Sequence, residues 1–75
     1  MPEQLSNRLK VLRAERDLTQ AQLAELAGVS RKTINTVERG VFIPSTVLAL
    51  KLARELGVSV EDIFQLPCRR GEPQR

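Results

Sequence analysis

An all-α fold, a single compact bundle of five short helices, is predicted for this 75-residue chain by three features of its sequence. Apolar residues recur at intervals of three and four, and nowhere alternate in the way a half-buried strand requires. Residues suited to helix N-caps (Thr19, Ser30, Ser45 and Ser59) precede these runs, and Gly28, Gly40, Gly57 and Pro67 close them. With 41% hydrophobic residues and only two aromatics, Phe42 and Phe64, the chain has material for one core.

The spacing of Leu5, Leu9 and Leu12 predicts a first helix over about residues 3–16, with Arg8, Lys10, Glu15 and Arg16 on its other faces. Asp17 and Leu18 form a short connection. Thr19 followed three residues later by Gln22 reads as a capping box, in which each side chain satisfies a backbone N–H at a helix start. Leu23, Ala24, Leu26 and Ala27 supply the apolar face of this second helix, and Gly28 suits its left-handed end. Ser30 then caps a third helix, about 30–39, in which Ile34 and Val37 are the only strongly apolar residues. Arg31, Lys32, Asn35, Thr36 and Arg39 take much of its remaining surface, so most of it is expected to face outward. After Gly40 and the loop Val41–Pro44, Ser45 starts a fourth helix whose inward side is read as Ala49, Leu50, Leu52, Ala53 and Leu56. Ser59, with Asp62 three residues on, opens a fifth carrying Val60, Ile63, Phe64 and Leu66. The domain is expected to end at Pro67, which cannot continue a helix. Residues 68–75, without apolar anchors, are expected to form a disordered tail.

Composition excludes several function classes. There is no His, and the single Cys68 can form no intramolecular disulfide and no zinc ligand set, so neither metal nor cofactor is implied. Cys68 is read as an inert tail residue. No nucleophile stands beside an evident activating partner, and five short helices leave little room for a pocket, so neither enzyme activity nor a small-molecule ligand is expected. No apolar run approaches a membrane span, and MPEQLSNRLK lacks the basic-then-apolar order of a secretory signal. A reducing cytoplasmic setting is expected. The net charge of +3 is uninformative in itself, because Arg69, Arg70 and Arg75 against Glu72 carry +2 of it in the tail. Location matters more: no acidic residue occurs from 26 to 37, so the third helix begins on a locally basic surface.

The segment TQAQLAELAGVSRKTINTVERG, residues 19–40, joins two helices through a three-residue turn containing glycine, and the second helix is polar in its N-terminal half. Here, with the lead-in NRLKVLRAERDLTQ and the closing PS…LALKLARELGVSVEDIF, the chain resembles the Cro and phage-repressor (Xre-like) helix-turn-helix DNA-binding domains. The resemblance spans residues 7–66 and implies a lambda-repressor-like DNA-binding fold. It further implies that the third helix enters the major groove of double-stranded DNA, a groove about 12 Å wide.

On that reading Arg31 and Lys32 donate to guanine, and Thr36 meets a thymine methyl or bonds either base type through its hydroxyl. Asn35 is placed at the flank, against a phosphate or an adjacent adenine. The family sets a glutamine against the DNA backbone at the start of the second helix, which makes Gln20 a phosphate contact, with Thr33 and Arg39 as further backbone candidates. The tail arginines are read as part of an ordinary basic tail, with loose attraction to phosphates as the alternative. Arg13 and Glu38 match positions where the family has a buried or half-buried ion pair. Thr19 and Gln22 are read as cap partners only.

The family's usual two-fold dimer implies a homodimer on half-sites about 34 Å apart. Its interface is sought among Val41 and Phe42 in the loop, Val47 and Leu48, and Val60, Ile63 and Leu66. The function expected is a sequence-specific DNA-binding transcriptional regulator that represses by occupying its operator. The alternatives are an antitoxin that also represses its own operon, the DNA-reading module of a longer regulator, and a protein-interaction module of this fold that does not bind DNA.

Overall fold

The first helix starts well after residue 3, and the cause lies at the other end of the domain. The computed structural model describes residues 5–66, so the expectations for Pro67, Cys68 and the tail with Arg69, Arg70 and Arg75 lie outside the described residues. Ser6–Asn7 (β1) is extended and pairs antiparallel with Phe64–Gln65 (β2), in the register Ser6 to Gln65 and Asn7 to Phe64. The Ser6 hydroxyl and the Arg8 N–H add bonds of 3.2 and 2.8 Å to the carbonyls of Gln65 and Ile63. Asn7 then does two things. Its Oδ1 accepts the Leu9 N–H (3.1 Å), which starts α1 (Leu9–Glu15), and its Nδ2 donates to the Val37 carbonyl (3.0 Å). Leu5 packs against the core from extended chain, so the Leu5, Leu9, Leu12 spacing never required a helix at Leu5.

The remaining helices are α2 (Gln20–Ala27), α3 (Arg31–Glu38), α4 (Thr46–Leu56) and α5 (Val60–Ile63). The last is a single turn and stops three residues short of the expected Leu66. Phe64 turns extended (φ −117°, ψ 131°), which buries its ring and lets its backbone meet Asn7. Gln65 Nε2 then donates to the carbonyls of Glu61 (2.7 Å) and Asp62 (3.3 Å), satisfying acceptors that a helix end leaves free.

One core holds the layers together, with Leu9, Leu23, Ile34, Val37, Leu52 and Ile63 almost wholly excluded from solvent. Among the described residues no polar or charged residue is buried as a whole, and no buried side-chain N or O lacks a partner. Arg16 pins the end of α1 to the end of α4. Its guanidinium donates to the carbonyls of Leu56 (2.6 Å) and Leu12 (3.0 Å).

Two parts of the expected interface are corrected. Leu48 is 7% and Ile63 0% exposed, so both belong to the core and neither can meet a second chain. Capping by Ser45, which accepts the Leu48 N–H at 3.1 Å, fixes the phase of α4 so that Leu48, Leu52 and Leu56 line its inner side. Leu50, expected inside, is 56% exposed instead.

α5 also carries a pH dependence. The Ser59 backbone N–H, then the Ser59 hydroxyl, with Arg8 assisting, hold the Asp62 carboxyl below its ordinary 3.8. A carboxyl whose pKa is lowered by folding contributes stability that is present above the unfolded value and lost as pH falls through the folded one. The thermal midpoint should therefore fall more steeply between about pH 5 and pH 2 in the wild type than in Asp62→Asn, as followed by circular dichroism.

Candidate nucleic-acid interface

The corner between α2 and α3 is made by local chemistry. Thr19 Oγ1 accepts the Gln22 N–H (3.0 Å) while Gln22 Oε1 accepts the Thr19 N–H (2.8 Å), so the capping box is closed. α2 ends at Gly28 (φ 73°, ψ 32°), a conformation costing a side-chain-bearing residue about 1–2 kcal/mol. Val29 returns its N–H to the Ala24 carbonyl (2.9 Å) and packs on the core, and Ser30 accepts the Thr33 N–H (3.1 Å) to open α3. Ser30→Ala should cost about 1 kcal/mol, read as a lower urea midpoint at unchanged slope, because the α3 N-cap is removed.

α3 is anchored by Ile34 (0% exposed) and Val37 (1%). At about 100° per residue, Arg31, Lys32, Asn35, Thr36 and Arg39 fall on one arc opposite those anchors. Arg31, Lys32 and Arg39 are exposed, and none of them is in an ion pair among the described residues. Asn35 and Thr36 are half-buried. The wheel sets Asn35 inside the arc, between Arg31 and Lys32, and not at its flank as expected. The Thr36 hydroxyl donates to the Thr33 carbonyl (3.0 Å). With its hydrogen so used, it offers lone pairs and a methyl only, which suits adenine N6, cytosine N4 or a thymine methyl and narrows the expectation that it serves either base type. Thr33 stands apart from the arc, half-buried, its hydroxyl 3.0 Å from that of Ser30.

Arg13 and Glu38 form an ion pair joining α1 to α3. Arg13 Nε lies 2.6 Å from Glu38 Oε2, with side-chain exposures of 14% and 4%. Arg13 also donates to the Leu18 carbonyl (2.7 Å), bracing the α1–α2 link. The pair has a third member that sequence reasoning missed: Gln20 Nε2 donates to Glu38 Oε1 at 2.9 Å. The first residue of α2 is thereby tied to the last of α3, and the second N–H of the Gln20 amide is left for another acceptor. Arg13 also neutralises the one acidic group on α3, where a free carboxylate would repel phosphate. The tie between Asn7 and the Val37 carbonyl, also unforeseen, holds the far end of α3; a lone asparagine ahead of a leucine stripe gives no signal for it.

The whole arrangement is an anchored helix with a polar, cationic outer arc, set across a tight corner from a second helix whose start carries an amide donor. Such a surface can supply charge-assisted and bidentate hydrogen bonds to base edges, and neutral donors to phosphates. Among the described residues no three His, Cys, Asp or Glu side chains are placed to hold a metal, and no helix is long and apolar enough to cross a membrane.

Comparison with known proteins gives the same outline. Residues 9–63 match the family model HTH_3, described as helix-turn-helix. An HTH-type transcriptional regulator of Methanocaldococcus jannaschii is 50% identical over 60 residues, which span 80% of this chain and 91% of that protein. The immunity repressor of Bacillus phage phi105 is 41% identical over 59 residues, covering 79% of this chain and 41% of the repressor. Among solved structures, the restriction-modification controller protein C.AhdI of Aeromonas hydrophila superposes with a TM-score of 0.69 at 39% identity, over 72% of this chain and 82% of that one.

Proposed function

This chain belongs to the HTH_3 family of helix-turn-helix proteins and is a DNA-binding transcriptional regulator, and from that premise we propose that it is a cytoplasmic repressor. It works as a homodimer, each copy laying α3 into the major groove of one half-site, and represses by occupying its operator. The observation that carries this reading is the outer arc of α3: Ile34 and Val37 hold the helix from behind, while Arg31 and Lys32 stand exposed and unpaired among the described residues. Arg31 and Lys32 read guanine, and Asn35 and Thr36 read neighbouring base edges. Gln20, through its second amide hydrogen, and Arg39 hold phosphates and set register without choosing sequence. Likeness to the phi105 immunity repressor supports the sign of regulation.

The test is selection from random double-stranded DNA by the purified chain, with the recovered sites titrated at two salt concentrations. The expected product is an inverted repeat with half-sites about 34 Å apart, bound more weakly as salt rises, since each neutralised phosphate releases counterions. A folded protein that enriches no sequence and binds no DNA at low salt is instead a protein-interaction module.

A further inference from the structure

Thr36 lies in the outer arc of α3 with its hydroxyl and its carbonyl already engaged. The hydroxyl donates to the Thr33 carbonyl at 3.0 Å, and the Thr36 carbonyl accepts the Val41 and Phe42 N–H groups at 3.0 and 3.2 Å as the chain leaves the helix. A threonine side chain is stiff at χ1, so the bond that places the hydroxyl also places the methyl. What Thr36 offers a base is therefore a fixed pair, an oxygen with free lone pairs beside a methyl group. Turning the hydroxyl hydrogen toward a base only exchanges one hydrogen bond for another, whereas accepting from a base adds one.

Resting on the major-groove reading above, we infer that Thr36 selects cytosine in the operator, and that it takes cytosine methylated at C5 at least as well. Guanine shows the major groove two acceptors, O6 and N7, and thymine shows O4 beside its methyl, so both set lone pairs against the Thr36 oxygen. Adenine offers the N6 donor but puts N7 next to it, where the Thr36 methyl can make no bond. Cytosine offers the N4 donor with an apolar C5–H beside it, and so matches both the oxygen and the methyl of Thr36. A methyl at C5 adds apolar contact at the same place. Thymine and 5-methylcytosine show the groove the same methyl and differ in the group at C4, so Thr36 separates them by amine against carbonyl. Arg31 and Lys32 are donors only and cannot bond the cytosine amine; their share in a C·G pair is the guanine on the other strand.

The test uses the full 75-residue chain and the operator recovered by selection, with each base pair of a half-site replaced in turn and affinity read by fluorescence anisotropy. At one base pair the wild type should prefer cytosine over thymine by about 3- to 10-fold, which is what one net hydrogen bond contributes. There 5-methylcytosine should bind as tightly as cytosine, or up to about fourfold more tightly. Thr36→Val keeps a methyl and loses the oxygen, so it should prefer thymine at that base pair and leave the others unchanged, since Arg31 and Lys32 still read any guanine. Thr36→Ser keeps the oxygen and should retain the preference for cytosine. Circular dichroism melts show that each variant is folded, and the comparison of thymine with 5-methylcytosine needs no variant. A wild type that binds 5-methylcytosine as weakly as thymine at every position, or a cytosine preference untouched by Thr36→Val, overturns the inference and leaves the DNA reading standing. A folded chain that enriches no sequence removes both.

Discussion

Glu38→Ala is expected to destabilise the fold by about 3 kcal/mol, the lower end of the range for removing one partner of a buried ion pair, since the Glu38 side chain is covered while both residues as wholes are half-buried. Three donors are deprived of their acceptor together: Arg13 Nε, the second Arg13 nitrogen and the Gln20 amide. Glu38 is only 4% exposed at its side chain, so the guanidinium left behind is poorly placed to recover its hydration. Domains of this size are stable by about 4–11 kcal/mol, at roughly 0.05–0.15 per residue, so the variant should sit close to unfolding at about 37 °C. Urea denaturation followed by circular dichroism gives the number. Pairing Glu38→Leu with Arg13→Met should recover much of the stability, since an apolar pair leaves no orphaned charge. A cost below about 1 kcal/mol for Glu38→Ala would mean that the pair is solvated like a surface one.

Arg31→Ala should lower affinity for the selected operator by about 1–3 kcal/mol, roughly 5- to 150-fold, and should flatten the preference for one base pair while leaving the others. Arg31 is exposed and on the far side of α3 from its buried anchors, so fold stability should be unaffected. Arg39→Ala is the informative contrast. Removing a cation that holds a phosphate at the end of the helix weakens binding to all sequences alike and reduces the salt slope by about one. Fluorescence anisotropy against the operator and its single-base variants separates the two patterns. If Arg31→Ala behaved as Arg39→Ala is expected to, Arg31 would be a backbone ligand and base reading would fall to Lys32, Asn35 and Thr36.

How legible these features were in the sequence depended on how far apart the interacting groups are along the chain. The caps at Thr19, Ser30, Ser45 and Ser59 all act three residues ahead, and the structure closes every one of them. The corner at Gly28 and the outward arc of α3 follow from similarly local rules. The β1–β2 pair joins groups 59 residues apart, and no spacing within residues 5–8 announces it. The pattern of α4 is ambiguous for a different reason. Val47, Leu48, Ala49, Leu50, Leu52, Ala53 and Leu56 are apolar on nearly every side, so the pattern could not say whether Leu48 or Leu50 faced in. In the site, Glu38 was expected to pair with Arg13, but its second oxygen was not expected to bind Gln20, because a glutamine at a helix start has water as an equally good partner.

The pairing of Ser6 with Gln65 also decides how this protein can be handled. Chain enters and leaves the domain at one spot, and Leu5 and Leu66, the residues at that doorway, wall the groove between α4 and α5. A bulky fusion joined directly at either end would crowd both strands at once, because each is only two residues long. Affinity tags on short linkers should therefore lower the thermal midpoint of the domain, and cleaving such a tag should restore it without any change in sequence within residues 5–66.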